Sequence, residues 1–312
     1  WKPRQRAGPV ERARAPAGSG GLPEDAQEPG KPVARGSILP RMMRHFTALT
    51  LVFCAGAVSA QTRIEVSDLT ALPPAEVVVL GEIHDNPTHH ENQAEAVSVI
   101  GPAAVVYEML TPAQAEAFDP ALLDDAEALE AALGWADSGW PDFEMYYPIF
   151  AAAPGAAVYG ANVPREDLRA AFDAGAAAAF GAEAERYGLT RPLPEDQQAT
   201  REAAQLSAHC DALPAELLPG MVAAQRVRDA ALARAVVQAV DAHGTPVVVI
   251  TGNGHARRDW AVPHKLGLAA PDLDVLSVGQ LEDAPASGDW PPYDLFLVTA
   301  PAAREDPCAA FR

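Results

Sequence analysis

One short stretch of the sequence concentrates side chains that bind metals and transfer protons. Between Glu82 and Glu91 the chain carries three histidines and two glutamates within ten residues, directly after the apolar run Val77–Leu80. Imidazole and carboxylate groups coordinate metals, and the same groups act as general acids and bases near neutral pH. The stretch therefore predicts a metal site, a cofactor site or a hydrolytic centre at the end of a buried strand.

The elements that must position these side chains are strands of a buried sheet. Six runs are rich in β-branched residues and bounded by turn residues, as strands are. They are EVVVLG, AAVVYEM, AAVYGANV, TPVVVITGNG, DVLSVGQL and YDLFLVTA. Most of these runs are continuously apolar, which indicates a sheet that is covered on both faces.

Helical patterns lie between the predicted strands. They are THHENQAEAVSVI, which opens with Thr88 and Glu91 in capping-box spacing, the Ala-rich PREDLRAAFDAGAAAAFGAEAERYG, and LPGMVAAQRVRDAALARAVVQAVDAHG, which ends at Gly244. The alternation of strands and helices predicts an α/β fold with a mainly parallel sheet flanked by helices. Residues 111–150 and 165–242 interrupt the alternation, and we expect them to be insertions that form a helical cap.

The carboxyl ends of the predicted strands bring polar residues together. Ligands of open parallel sheets bind outside these ends, because the loops meet there at one edge. The first strand leads to Glu82 and His84, the second to Glu108, the third to Asn162 and the fourth to His255. The two glutamates and two histidines are therefore the predicted metal ligands, or the catalytic residues if the protein is a hydrolase. A buried structural role is the alternative for each.

Two further pairs of residues are candidates for ligand binding. His89 and His90 begin the helix after the first strand, where each is either a ligand or a residue that only starts the helix. Arg257 and Arg258 come shortly after His255, in a chain that is poor in basic residues. They suit an anionic group such as a carboxylate or propionate, or else they pair with acids such as Asp259.

The long helical pattern carries residues for a second layer of the site. Gln225 and Asp229 are one turn apart, and Arg228 lies on an overlapping face. These side chains either cover the site or face solvent, and the sequence leaves both alternatives open.

The first sixty residues differ in composition from the rest. Residues 1–41 are rich in Pro, Gly and charge, which is typical of disorder, and we expect them to be upstream sequence, with translation starting at Met42 or Met43. Residues 42–60 combine a basic start, a short apolar stretch and small residues at the end, as a secretory signal peptide does. We expect cleavage after Ala60.

Three cysteines bear on the fate of the exported chain. Cys54 fits a lipoprotein signal, but bulky Phe53 stands where such signals carry a small residue. We therefore expect a soluble periplasmic protein formed by one domain, 61–312, and attachment to a membrane stays open. Cys210 and Cys308 remain after processing and can pair in an oxidising compartment.

The charge of the chain excludes one class of partner. The formal net charge is −19, and residues 1–60 contribute nine basic and four acidic side chains. The remainder therefore has 14 basic against 38 acidic residues and a net charge of −24. Such a surface repels polyanions at long range, so we expect no nucleic-acid partner.

The motifs taken together resemble one known family. They are LGEIHDNPTHHENQ, VVYEML, WPDFEMYYPIF, YGANVPRE, QRVRDAALA and ITGNGHARRDWAVPHKL, in that order. From about Val77 to Gly279 the chain resembles the ChaN-type haem-binding proteins of the Tiki/TraB/erythromycin-esterase-like superfamily. The pairing of G-E-x-H-D-N with G-N-G-H at this separation carries most of the specificity.

The resemblance implies an exported, iron-regulated protein that binds haem between the strand-end cluster and a helical cap. The four strand-end glutamates and histidines named above match polar positions that the superfamily shares. In ChaN-type proteins haem is held by a tyrosine and a histidine, and Tyr146 and Tyr147 are the candidates for that tyrosine. The residues expected to contact haem or its iron are His84, His89, His90, Tyr146, Tyr147, Asn162, His255, Arg257 and Arg258.

The resemblance also bears on partners and on a competing function. It implies a homodimer with haems stacked between the subunits, and an outer-membrane haem-uptake receptor as a further partner. Other branches of the superfamily are regarded as metal-dependent hydrolases. A divalent metal ion and esterase-like or peptidase-like hydrolysis at the strand-end cluster are therefore the alternative to haem binding.

Overall fold

The computed structural model describes residues 61–286, 288–306 and 308–309. The predicted upstream extension and signal peptide fall on residues 1–60 and lie outside the described residues. Within the described part of the chain, no helix is both long enough and apolar enough to cross a membrane.

A single sheet organises these residues. Its strands are β1 Thr62–Arg63, β2 Val77–Glu82, β3 Ala104–Tyr107, β4 Ala157–Gly160, β5 Val247–Gly252, β6 Val275–Leu281 and β7 Leu295–Val298. All pairs are parallel, and the order across the sheet is β1-β7-β6-β2-β5-β3-β4. The prediction of an α/β fold is confirmed, and each of the six predicted strands is present. The two-residue edge strand β1 was missed because two exposed residues carry no pattern.

Helices surround the sheet. They are α1 Pro87–Ile100, α2 Pro112–Glu116, α3 Ala126–Leu133, α4 Phe143–Ala152, α5 Arg165–Ala174, α6 Ala176–Phe180, α7 Glu195–Ala208, α8 Leu218–His243, α9 Asn253–Ala256 and α10 Val262–Ala269. Short 3-10 helices lie at Val66–Ala71, Pro120–Leu122, Trp135–Asp137 and Ala215–Leu217. The segment 111–150 thus contains α2 to α4, and the segment 165–242 contains α5 to α7 and most of α8.

The apolar runs form strands because both faces of the sheet are covered. In β2, Val77 and Val79 belong to the core that includes the alanines and valines of α8. Val78 and Leu80 belong to the opposite core, which includes side chains of α1 and α4. Successive side chains of a strand point to opposite faces, so a strand between two helical layers must be apolar throughout.

Two details of the predicted helices were wrong. Helix α1 is capped by Asn86, whose side chain accepts a hydrogen bond from the Thr88 backbone N–H, instead of by Thr88 and Glu91. Pro87 occupies the first position of the helix, where its missing N–H costs nothing. The Ala-rich pattern divides into α5 and α6 at Gly175, whose φ of 84° favours glycine and interrupts the helix.

A disulfide joins distant parts of the chain. Cys210, in the connection between α7 and α8, is bonded to Cys308 in the C-terminal segment. The same C-terminal segment is anchored by Arg304, whose guanidinium forms ion pairs with Asp85 and Glu282. The connection that leads into α8 is therefore tied covalently to the segment that follows the last strand.

Candidate functional site

A cavity lies at the carboxyl edge of the sheet, where the polar residues predicted at the strand ends lie close together. Its volume is about 520 Å³, within the usual range of small-molecule sites. The ends of β2, β3 and β5 form one side, and α7 and α8 contribute the other. Its lining includes Glu82, His84, Glu108, Trp140, Asn162, Arg201, Gln205, Arg228, Asp229, Asn253, His255, Arg257 and Trp260.

Glu82 is the centre of the first polar cluster. Its carboxylate is buried at the end of β2, where Oε1 lies 2.7 Å from His84 Nδ1 and accepts a 2.8 Å hydrogen bond from the Tyr146 hydroxyl. The other oxygen, Oε2, lies 3.2 Å from Nδ1 of the buried His90. The carboxylate is therefore held from helices α1 and α4 as well as from its own loop.

This cluster forms an ion pair at neutral pH. Burial by itself raises the pKa of Glu82, but the hydrogen bond from His84 and the close approach of His90 outweigh burial and hold that pKa well below its usual range. Burial by itself lowers the pKa of His84, yet the hydrogen bond to Glu82 and the charge of Glu108 raise it to about 9. His84 is thus an imidazolium facing the cavity, with 35% of its side chain exposed.

Glu108 and His255 form a second cluster. Glu108 Oε2 accepts hydrogen bonds from Thr251 Oγ1 at 2.6 Å and from the Gly252 backbone N–H at 2.8 Å. Glu108 Oε1 lies 3.5 Å from His255 Nε2, and His255 Nδ1 lies 2.7 Å from Asp229 Oδ1 on α8. Both ring nitrogens of His255 therefore face carboxylates.

Electrostatics favours charge in this cluster too. Burial lowers the pKa of His255, but the carboxylates of Glu108 and Asp229 more than reverse this and raise it above its usual value. The pKa of Glu108 moves down in turn, because His255, His84 and the two hydrogen bonds outweigh its burial. The cavity floor is thus a row of alternating carboxylates and imidazoles.

Glycines at the strand ends let these side chains approach. A Cβ atom on Gly252 would lie 2.8 Å from His84 Nε2, so an alanine there would displace the imidazole. A Cβ atom on Gly81 would collide with the Asn253 side chain, which bonds to the backbone of Gln280 and holds α9 against β6. The strand-end glycines thus allow close packing of the polar groups that follow them.

The histidines at the start of α1 lie behind the cavity. Both are fully buried, and neither lines it. His89 Nδ1 accepts a hydrogen bond from the Ile83 backbone N–H, and its Nε2 lies 2.8 Å from Thr299 Oγ1. His90 donates from Nε2 to the His84 carbonyl oxygen. These two histidines hold the loop between β2 and α1 in place.

The two candidate tyrosines differ in position. Tyr146 is fully buried and donates to Glu82, so its hydroxyl is occupied within the protein. Burial and the Glu82 charge raise the pKa of Tyr146 far above its usual value. Tyr147 donates to the Leu123 carbonyl oxygen, away from the cavity lining. Asn162 does line the cavity, at the end of β4.

Three arginines line the cavity, and only one of them was singled out as a ligand group. Arg257 is in the lining, where it pairs with Asp259 and lies over the Trp260 ring. Arg258 points away and pairs with Asp294. Arg201 of α7 and Arg228 of α8 complete the set. No local pattern indicated Arg201, because its position in the cavity depends on how α7 packs over the sheet.

Among the described residues, no group of three or more histidine, cysteine, aspartate or glutamate side chains has an arrangement that could hold a metal ion. The reason is visible in the contacts. Each carboxylate of the two clusters is already bound by an imidazole, a hydroxyl or a backbone N–H. The residues converge as ion pairs.

The fold and the site define a class. An all-parallel α/β sheet, with a polar cavity at its carboxyl edge and helices over it, is a ligand-binding architecture. The family model described as haem-binding uptake, Tiki superfamily, ChaN matches residues 69–266, more than half of the chain. The chain therefore belongs to this family.

Comparison with solved structures supports the fold. ChaN of Campylobacter jejuni, in a structure described by its cofacial haem binding, has 19% identity and a TM-score of 0.56, covering 74% of this chain and 89% of that one. At this identity the similarity concerns the fold alone. The type III effector HopBA1 (15% identity, TM-score 0.40, 76% and 92% covered) and a Bacillus cereus protein (13%, 0.33, 78% and 76%) are more distant. No curated protein matches the chain.

Proposed function

We propose that the protein binds haem in the cavity at the carboxyl edge of the sheet. One observation carries the proposal: His84 places a partly exposed imidazole in the cavity lining while its other nitrogen is bound to the buried Glu82 carboxylate. Histidines that ligate metals commonly donate their second N–H to a carboxylate, which orients the ring and increases its basicity. Membership of the haem-binding uptake family supports the same ligand.

His84 is a better iron ligand than the other histidines near the cavity. Both nitrogens of His255 face carboxylates, and only 9% of its side chain is exposed. His89 and His90 are fully buried. An imidazole can bind haem iron only through a nitrogen that the iron can reach. His84 meets this condition, because 35% of its side chain is exposed and it lines the cavity. Iron would bind there by displacing the Nε2 proton, while Nδ1 keeps its hydrogen bond to Glu82.

The rest of the lining suits a flat, amphipathic ligand. The Trp140 ring contacts the His84 ring edge to face, with centroids 4.8 Å apart, and Trp260 also lines the cavity. Indole rings provide the apolar surface that a porphyrin requires. The arginines of the lining provide positive charge for its propionates. Asn162 supplies a neutral polar contact.

An absorbance titration tests the proposal. Purified protein is titrated with haemin, and the Soret band is followed with urea-denatured protein as the control. We expect a saturable red shift that ends at a defined stoichiometry, because one ligated imidazole binds one iron. A shift that rises without saturation, or that the denatured chain reproduces, would contradict haem binding.

We further propose that the protein works in haem and iron uptake after export to the periplasm. The signal-like segment 42–60 and the Cys210–Cys308 disulfide both suit an oxidising compartment outside the cytoplasm. In this proposal two copies form a homodimer around stacked haems, and an outer-membrane haem-uptake receptor is a partner. Cell fractionation tests the location, since recovery in spheroplasts would contradict it, and the native mass with and without haemin tests the dimer.

A second candidate function is hydrolysis. The observation that favours it is the Asp229–His255–Glu108 series beside the Glu82–His84 pair, which places two imidazole–carboxylate pairs on one cavity. Such pairs supply general acid–base catalysis, with or without a divalent metal. Ester and peptide substrates, assayed with and without chelator, test this function. Activity that persists in Glu82→Gln and His255→Gln variants would contradict it.

A further inference from the structure

Arg201 is a buried charge without an acidic partner. It lies on α7 at the cavity wall, and only 6% of the residue is exposed. Its Nη2 donates to Gln197 Oε1 at 3.0 Å, but its Nε is buried without any hydrogen-bond partner. Among the described residues, no carboxylate lies within ion-pair distance of this guanidinium. A buried guanidinium in this condition is costly, because it has lost water without gaining a counter-ion.

The surroundings of Arg201 disfavour its positive charge. Burial outweighs the attraction of Asp229 and lowers the pKa of Arg201 to about 10. The group is still charged at neutral pH. Asp229 attracts Arg201 but forms no ion pair with it, and that carboxylate is hydrogen-bonded to His255. A desolvated positive charge at the wall of a cavity attracts an anion more strongly than the same charge at the surface.

Arg228 extends this positive region. Gln205, one turn along α7, also lines the cavity but adds no charge, and its buried Oε1 is an acceptor without a partner. Arg228 lines the cavity from α8 and forms no ion pair with a carboxylate of the described chain. Arg257 differs from both, because Asp259 already neutralises it. The cavity of a strongly acidic protein thus presents two arginines that lack acidic partners.

We propose that Arg201, assisted by Arg228, forms a carboxylate-binding subsite on the α7 wall that selects ligands bearing an aliphatic carboxylate. The planar guanidinium fork matches a carboxylate, which would accept hydrogen bonds from its N–H groups. The proposal rests on haem binding in this cavity, and it assigns the propionate contacts to α7 and α8. Arg258, which pairs with Asp294 outside the cavity, has no part in this subsite.

The first arm of the test compares haemin with its dimethyl ester, in which the propionates carry no charge. We expect the protein to bind haemin about 10- to 100-fold more tightly, the usual range for a hydrogen bond to a charged group. Arg201→Gln should abolish this preference by weakening haemin alone, and Arg201→Lys should restore part of it. Arg258→Gln is the matched control and should keep the preference.

The second arm needs no haem. Arg201 lies 5.0 Å from the centroid of the Trp260 ring, so a bound carboxylate alters the emission of that indole. We expect a saturable change with heptanoate and none with methyl heptanoate, lost in Arg201→Gln and in Trp260→Phe. Thermal unfolding of ligand-free Arg201→Gln should match wild type or exceed it, because a buried unpaired charge is removed.

The two arms separate the failures. Equal affinity of the protein for haemin and its ester, or an Arg201→Gln variant that weakens both equally, would overturn the subsite while leaving haem binding intact. Absence of haemin binding together with a heptanoate response would overturn the proposed function and keep the subsite. No response to heptanoate and no preference for haemin would overturn the subsite outright.

Discussion

At the scale of single residues, the buried carboxylates Glu82 and Glu108 hold the imidazoles of His84 and His255 at the cavity. Glu82, His84 and His255 follow strand ends, and the parallel-sheet rule alone indicated that they meet at one edge. The hydrogen-bond partners of these groups could not be predicted. Tyr146 and Asp229 reach them from distant helices, and their direction depends on packing that no local pattern contains.

The ion pair of Glu82 with His84 predicts how stability depends on pH. The pKa of Glu82 is below its ordinary value of 4.5, so its stabilisation is present above that pH and is lost as the pH falls. The pKa of His84 is raised from 6.5 to about 9, so its stabilisation is full below 6.5 and is lost as the pH rises through 9. We expect haem-free Glu82→Gln to be less stable by about 1–3 kcal/mol between these limits. Denaturant unfolding across the pH range measures this difference, and a constant difference at all pH values would contradict the pair.

A second prediction concerns the contact between Gly252 and His84. The added methyl group of Gly252→Ala would lie 2.8 Å from Nε2, so the ring must move, at a cost of about 1–3 kcal/mol. Gly254→Ala is the control, because no atom lies within 4 Å of its Cβ position. Thermal unfolding of both haem-free variants checks the contact. Equal behaviour of the two variants would contradict it.

At the scale of elements, continuous apolar runs made the strands predictable, whereas the ends and breaks of helices depended on single residues. Asn86 caps α1 because the chain leaves β2 in an extended conformation at that position, and Gly175 breaks the Ala-rich pattern through its positive φ. The face of α7 that lines the cavity could not be predicted, because the exposed and buried positions of this helix are similarly polar.

The contact between Asp229 of helix α8 and His255 leads to a prediction about the pKa of His255. Asp229→Asn should remove the carboxylate that stabilises the imidazolium, so the pKa of His255 should fall and stability should decrease by about 1–3 kcal/mol. Asp241→Asn changes an exposed aspartate of the same helix and should leave both quantities unchanged. NMR titration of the His255 imidazole measures the pKa. An unchanged pKa in Asp229→Asn would show that α8 does not control this group.

At the scale of the whole molecule, the α/β class followed from the alternation of strands and helices, while the order of the strands did not. Strand β2 pairs with β5 and β6, which are far from it in sequence. Because the parallel strands have similar apolar runs, no local pattern tells which strands are neighbours. The family resemblance indicated haem binding, which neither composition nor topology could indicate.

The disulfide gives a prediction at this scale. Cys210 and Cys308 are 98 residues apart, and closing a loop of that length restricts the unfolded chain by about 4–5 kcal/mol in the chain-entropy model. The Cys210→Ser/Cys308→Ser double variant should therefore unfold at a lower temperature, and reductant should lower the unfolding temperature of the wild type only. A double variant as stable as the oxidised wild type would contradict this contribution.

We propose that the partly exposed His84, backed by the Glu82 carboxylate, captures haem iron. The most direct measurement is a haemin titration of His84→Ala beside His255→Ala, with the exposed His264→Ala as the control. We predict that the His84 variant loses the saturable Soret shift, while the His255 variant weakens it and the His264 variant matches wild type. Unchanged haemin binding in His84→Ala would contradict the account.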